Sequence, residues 1–148
     1  MKNKIPLILF GGIFLFGVDQ WLKWQARHAW SDPALVNRFF GWSPFNNPGV
    51  AFSLPVPGRL AVIITIPIIC IVGYLLMRGL FFPSSAAQTR RLYALALILT
   101  GAISNLADRI VYYATVDYWR IFTGVINLAD VLIVLGFVVY FLAPRKQS

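Results

Sequence analysis

The chain has 148 residues, 59% of them hydrophobic and 12% charged, with a formal net charge of +8 and a mean hydropathy of +0.73. A water-soluble domain of this length has too little interior to hide so much apolar surface, so the class is integral membrane protein, with residues 1–148 forming one membrane-embedded domain. The basic residues stand singly at the ends of apolar runs, which marks topology and membrane-surface anchoring and argues against a nucleic-acid track.

A bilayer crossing takes about 20 apolar residues, and four spans are predicted. The first covers 5–22. Lys2 and Lys4 precede it and no small-x-small cleavage site follows, so it is predicted as an uncleaved transmembrane helix. The connection 23–59 holds an extended stretch, Val36 to Trp42, then turn signals at Pro44 and at Asn46-Asn47-Pro48-Gly49, and is predicted as a small β-cradle lying on the membrane. The second span, 60–77, lies between Arg59 and Arg78, with Pro67 expected to kink it. The loop Gly79 to Arg91 carries no evident chemistry. The third span covers 92–107. The connection 109–123 is dense in aromatic residues (Tyr112, Tyr113, Tyr118, Trp119, Phe122), which predicts an interfacial helical segment at headgroup level. The fourth span covers 124–143.

With the N-terminus in the cytoplasm, the inner segments carry seven basic residues and no acid, and the outer segments carry six basic residues and every aspartate. The positive-inside rule favours this orientation, and an even number of spans returns the C-terminus to the cytoplasm. The expected fold is an all-α integral membrane protein: a four-transmembrane-helix bundle with a small extracytoplasmic β-cradle and an interfacial helical segment.

The five acidic residues are all aspartates, and Asp130 is the only charge between Ile121 and Ala143. A carboxyl inside a membrane segment costs ~2.5–3.5 kcal/mol on insertion scales and is a functional-site candidate by default. Thirteen residues separate Asp130 from Ala143, about 20 Å of helix. That puts Asp130 within the outer third of a hydrocarbon core roughly 30 Å thick. Asp117 arrives from the outer surface and can reach the same level. Two carboxyls that meet there would share one proton, as an acid–base hydrolase requires.

Other polar residues gather at the same ends of the spans. Asp19 and Lys23 stand at i,i+4 on one helical face, with Gln20 beside them. Asn47 and Gly49 occupy the outer loop. Asn105, Asp108 and Arg109 share a face at i, i+3 and i+4, and Asn127 stands three residues before Asp130. Each has a plainer reading: a helix-end ion pair for Asp19 with Lys23, structural bracing of two different neighbours for Asp108 and Arg109, and interhelical hydrogen-bond glue for Asn105 and Asn127. Cys70 is the sole cysteine, so an internal disulfide is impossible; it reads as a small buried hydrophobe. No CxxC, HExxH or glycine-rich phosphate loop supports zinc or nucleotide chemistry.

In combination, these residues resemble the lipoprotein signal peptidase (signal peptidase II) family of bacterial membrane aspartic peptidases, across nearly the whole chain. The family's Asp-Gln-x-x-Lys is matched by Asp19, Gln20 and Lys23, and its Asn-x-Gly-x-x-Phe by Asn47, Gly49 and Phe52. Its Asn-x-x-Asp-Arg, after a third-span glycine, is matched by Gly101, Asn105, Asp108 and Arg109. Its catalytic segment is matched by Val116-Asp117-Tyr118, and its Asn-x-Ala-Asp by Asn127, Ala129 and Asp130, followed by Gly136. The chain departs from the family at Pro48, Ala102, Ala114 and Ile126. The resemblance implies Asp117 and Asp130 as catalytic dyad, with Asp19, Lys23, Asn47, Gly49, Asn105, Arg109 and Asn127 binding substrate or shaping the site. It implies an endopeptidase that removes signal peptides from diacylglyceryl-modified prolipoproteins before the lipidated cysteine. It further implies no cofactor or metal, contact with membrane lipids, sensitivity to a cyclic peptide inhibitor of the globomycin type, and a monomer. The implied location is the bacterial cytoplasmic (inner) membrane, with both termini in the cytoplasm and the active site near the outer face. Two rival readings keep the membrane fold: a lipopeptide-binding protein without activity, and a small proton-relay or transport protein using Asp130 with Asp19.

Overall fold

The computed structural model describes residues 4–49, 58–81 and 86–144; Phe52, Lys2, Arg145, Lys146 and the inner-loop residues 82–85 lie outside the described residues. The elements in chain order are α1 (Lys4–Arg27), β1 (Ala34–Asn37), β2 (Phe40–Asn47), α2 (Gly58–Phe81), α3 (Ala86–Tyr112), β3 (Thr115–Ile121), β4 (Gly124–Ile126) and α4 (Leu128–Leu142).

Among the described residues, α1, α2 and α3 are long and apolar enough to cross a membrane. α4 is apolar but has only 15 residues, about 22 Å of helix against a hydrocarbon core of about 30 Å. The outward faces are apolar: Phe10 is 74% exposed, Ile63 64% and Phe141 75%. The buried positions include Asp19, Lys23, Asp108, Asp117 and Asn127. This is the reverse of a water-soluble protein and is what lipid as solvent demands. Cys70 follows the same rule. It is exposed on α2, not the buried hydrophobe that its apolar sequence surroundings suggest, because in a lipid-facing helix apolar surroundings mark the outside.

α3 is the central helix and packs against α1, α2 and α4. Its contact with α4 depends on two glycines. A Cβ on Gly101 would fall on the Ala129 carbonyl oxygen and 2.8 Å from Ile133, and a Cβ on Gly136 would lie 2.6 Å from Ile98 and 2.8 Å from the Ala94 carbonyl. The α3 and α4 backbones therefore touch at both ends of the contact, which holds the first turn of α4 against the Asn105 face of α3. α3 ends where Tyr113 takes a left-handed conformation (φ 58°) and its N–H donates to Arg109 O at 3.1 Å, a helix-closing turn.

The cradle is a four-stranded antiparallel sheet in the order β1-β2-β3-β4. β2 and β3 pair with Trp42 opposite Trp119 and Phe45 opposite Asp117, with a bulge between them. The interfacial helical segment expected over 109–123 is not what forms. α3 continues to Tyr112, and Thr115–Ile121 becomes strand β3. Its β-branched and aromatic residues (Thr115, Val116, Tyr118, Trp119, Ile121) suit a pleated surface, and β2 offers a strand to pair with. For the same reason α4 starts at Leu128 and not at Gly124, since Gly124–Ile126 extends the sheet.

Replacing Gly101 by Ala is expected to push α3 and α4 apart and to destabilise the protein by about 1–3 kcal/mol. Thermal unfolding in detergent, compared with an unhindered control such as Gly73→Ala, where a Cβ meets nothing within 4 Å, measures it.

Candidate active site

The sheet delivers Asp117 and the start of α4 delivers Asp130. Asn127 is the N-cap of α4: its side chain accepts from the Asp130 N–H, and the Asp130 carboxylate accepts in return from the Asn127 N–H, closing a capping box. The two remaining free N–H groups of that first turn are also taken. Leu128 N donates to the Tyr118 hydroxyl at 2.9 Å, and Ala129 N donates to Asp19 Oδ1 at 3.2 Å. A helix that begins away from water needs every such donor satisfied. The three partners come from α1, β3 and the cap residue, so they also fix where Asp130 stands.

Asn127 joins the two carboxyls. Its Nδ2 donates to Asp117 Oδ1 at 2.6 Å while its Oδ1 accepts from Asp130 N at 2.9 Å. Asn47 Nδ2 donates to Asp117 Oδ2 at 3.0 Å. Asn105 Nδ2 donates to Asp130 Oδ1 at 2.8 Å, and Asn105 Oδ1 accepts from Asn127 Nδ2 at 3.1 Å. Asp117 is 1% exposed, whereas Asp130 is only partly buried, so the pair opens on the Asp130 side. Burial, and then the neighbouring Asp130 carboxyl, push the Asp117 carboxyl up from 3.8 to about 7, against the hydrogen bonds from Asn47 and Asn127.

Behind the pair lies a buried charged cluster. Lys23 Nζ is 2.8 Å from Asp19 Oδ2 and 2.9 Å from Asp108 Oδ2, and donates to Asn105 Oδ1 at 2.9 Å. An ammonium can only donate, so Lys23 fixes which end of the Asn105 amide faces Asp130. Asp19 also accepts from Ser104 Oγ at 2.6 Å and from the Tyr118 hydroxyl at 2.9 Å. Asp108 accepts from Val116 N at 3.1 Å, which anchors the strand one residue before Asp117. Gln20 Nε2 bridges Ser104 Oγ at 2.9 Å and Asp108 Oδ1 at 3.1 Å.

Arg109 is braced elsewhere, as expected for a residue adjacent to Asp108. Its Nη2 donates to Gly49 O at 3.2 Å, and Gly49 N donates to Asn47 Oδ1 at 3.0 Å. The guanidinium interacts electrostatically with Asp130, Asp117 and Asp108, and its buried Nε has no partner among the described residues.

All nine sequence-predicted site residues therefore belong to one connected network. Ser104 and Tyr118 were missed. Tyr118 reads as one more interfacial aromatic, yet it is fully buried, and burial pushes its hydroxyl far above the ordinary tyrosine range. The available signal was strand alternation: a residue next to Asp117 in a strand faces the other side, toward α1.

The profile of a protein family described as Signal peptidase (SPase) II matches residues 12–144. A lipoprotein signal peptidase of Syntrophus aciditrophicus (strain SB) is 32% identical, over 90% of this chain and 89% of its own. One from Clostridium tetani (strain Massachusetts / E88) is 30% identical, over 96% and 92%. A solved structure described as a bacterial membrane enzyme shares the fold, with a TM-score of 0.78 at 21% identity over 97% of this chain and 96% of the other.

Two outcomes are expected of this geometry. Lys23→Met leaves two buried carboxylates without their cation and should cost about 3–5 kcal/mol, read as a lowered Tm in detergent. The second concerns Asp117. Folded, it holds its proton to about pH 7; unfolded, it releases it near 3.8. The folded state thus binds more protons between those values, so this stabilisation is complete below the unfolded value and is lost as pH rises through about 7. Between these limits the wild-type Tm should fall relative to that of Asp117→Asn, by an amount equivalent to a few kcal/mol on the order expected for a shift of this size. Parallel pH profiles of the two Tm values would contradict it.

Proposed function

The chain belongs to the signal peptidase II (lipoprotein signal peptidase) family, and on that premise we propose that it is an intramembrane aspartic endopeptidase that removes signal peptides from diacylglyceryl-modified prolipoproteins. The observation that carries this reading is the Asn127 amide, which donates to Asp117 at 2.6 Å and accepts from the Asp130 N–H at 2.9 Å. It holds two carboxyls from separate elements side by side in a place poor in water.

In the proposed reaction the dyad carries one proton. The ionised carboxylate takes a proton from a water molecule as its oxygen attacks the scissile carbonyl carbon. The protonated partner donates to the carbonyl oxygen, giving a neutral tetrahedral diol. As the C–N bond breaks, one hydroxyl proton returns to the carboxylate and a carboxyl proton passes to the leaving amine, which frees the lipidated cysteine as the new N-terminus. The two acids titrate as a pair, so the proton belongs to both. Arg109, with its Nε unpartnered among the described residues, is suited to stabilise charge that develops on the carbonyl oxygen.

The membrane frame follows. α4 begins at the buried cap described above and crosses the rest of the layer as the fourth span. Both termini lie in the cytoplasm of the bacterial inner membrane, and the sheet rests on the outer face as the cradle. This one-sided placement of polar groups favours peptidase chemistry over the proton relay. A relay would need polar residues through the cytoplasmic halves, where Ile8, Leu76, Leu92 and Leu95 instead form an apolar cluster.

Incubation of the purified protein with a diacylglyceryl-modified prolipoprotein tests the proposal. Asp117→Asn and Asp130→Asn should each lower turnover by about 10²–10⁴-fold, with the folded state retained. Turnover should also decline above about pH 7, where the pair loses its shared proton. Full activity in either variant sinks the dyad; binding by wild type without cleavage favours the inactive lipopeptide-binding reading.

A further inference from the structure

Four of the five aspartates belong to the buried network. The fifth, Asp32, is exposed on the connection between α1 and β1. It stands beside a cavity of about 380 Å³ lined by Ala29, Trp30, Asp32, Ala34 and Trp42. The Trp30 and Trp42 rings meet edge to face, at 81° with centroids 5.7 Å apart, and both line this cavity at a right-angled corner. The corner is braced. Trp42 Nε1 donates to Trp30 O at 2.6 Å, and Tyr118 stacks on Trp42 at 5.1 Å and 27°. Ala29 and Ala34 are small enough to leave the corner open.

Two indole rings at a right angle with a carboxylate beside them are complementary to an organic ammonium ion. The ring quadrupoles attract the cation, and the carboxylate accepts its N–H groups. An anionic headgroup lacking an amine would meet only repulsion from Asp32. The location narrows the source of the ammonium. Trp30 also meets Trp21 edge-on, at 5.5 Å and 85°. Trp21 is 52% exposed on α1, a helix long and apolar enough to cross the membrane. The corner is thus the far end of a tryptophan series that begins on a lipid-facing helix, and tryptophan concentrates where headgroups begin.

We propose that this corner binds the ammonium of a zwitterionic phospholipid of the phosphoethanolamine class, and so holds one headgroup against the α1–β1 connection. The proposal rests on membrane embedding alone and not on the peptidase chemistry.

Wild type, Asp32→Asn and Trp30→Leu, each extracted from nanodiscs of equal phosphatidylethanolamine and phosphatidylglycerol, would be compared by native mass spectrometry of retained lipid. Wild type should retain phosphatidylethanolamine over phosphatidylglycerol by at least about fivefold, and both variants should lose that preference to within about twofold, amounts well within the reach of one cation–π pair. Asp32 is exposed, so Asp32→Asn should keep the wild-type Tm and the wild-type rate of prolipoprotein cleavage. A retained preference in Asp32→Asn, or equal retention of both lipids by wild type, overturns the site. Loss of the preference on adding soluble phosphoethanolamine, at the lipid's own concentration, overturns the lipid as its occupant and leaves a small amine. A failure of the peptidase reading would show in the cleavage assay and leave these lipid ratios unchanged.

Discussion

One ammonium group organises the interior. Lys23 Nζ sits between Asp19 and Asp108 at 2.8 and 2.9 Å and also reaches Asn105 at 2.9 Å. In water such pairs are worth little. In a lipid-facing bundle an unpaired charge is costly, so the four groups must be found together or not at all. The requirement ties α1 to α3. Asp19 extends it to β3 and α4, through the Tyr118 hydroxyl at 2.9 Å and Ala129 N at 3.2 Å. Electrostatic necessity here replaces the hydrophobic drive, which has no force between helices already dissolved in hydrocarbon.

The same network explains how a carboxyl can stand at the start of α4. The opening turn would otherwise leave three N–H groups without a partner in the largely buried interior. Tyr118, Asp19 and Asn127 each take one. Asp130 repays Asn127 by accepting from its backbone N–H at 3.4 Å. The proposed dyad is thus built out of helix capping: the residue that ends the backbone's need for partners also holds Asp117 beside Asp130. This gives a physical reason why asparagine serves at 127. It must accept from one backbone group and donate to a carboxylate at the same time, which a carboxylate side chain at that position could not do.

The sheet acts as an arm of the bundle. β3 is bound at its start by Asp108 through Val116 N at 3.1 Å, and Tyr118 stacks on Trp42 in the neighbouring strand. Asp117 lies between these two anchors, so its position is set from both sides. Gly49 and Arg109 link the end of the β2 connection to α3 at 3.2 Å. The proposed catalytic groups therefore rest on five elements, α1, β2, α3, β3 and α4, whose relative places are held by hydrogen bonds as well as by packing.

Much of this was readable from residue order. The apolar runs announced a membrane protein, i,i+4 spacing paired Asp19 with Lys23, and a lone carboxyl inside an apolar run singled out Asp130. Those inferences depend only on local periodicity and on the cost of charge in lipid, which any sequence displays. Three features depended on folding. Thr115–Ile121 became a strand because β2 was there to pair with it, a partner that lies about 70 residues away in the chain. Cys70 faces outward because the bundle turned that side of α2 to lipid. Ser104 and Tyr118 entered the site because strand and helix faces met around Asp19; alternation along a strand turns Tyr118 away from Asp117, but only the packed fold supplies Asp19 as its partner. Spacing along the chain determines which residues share a face; only the packed fold determines which faces meet, because that choice is made by partners distant in sequence.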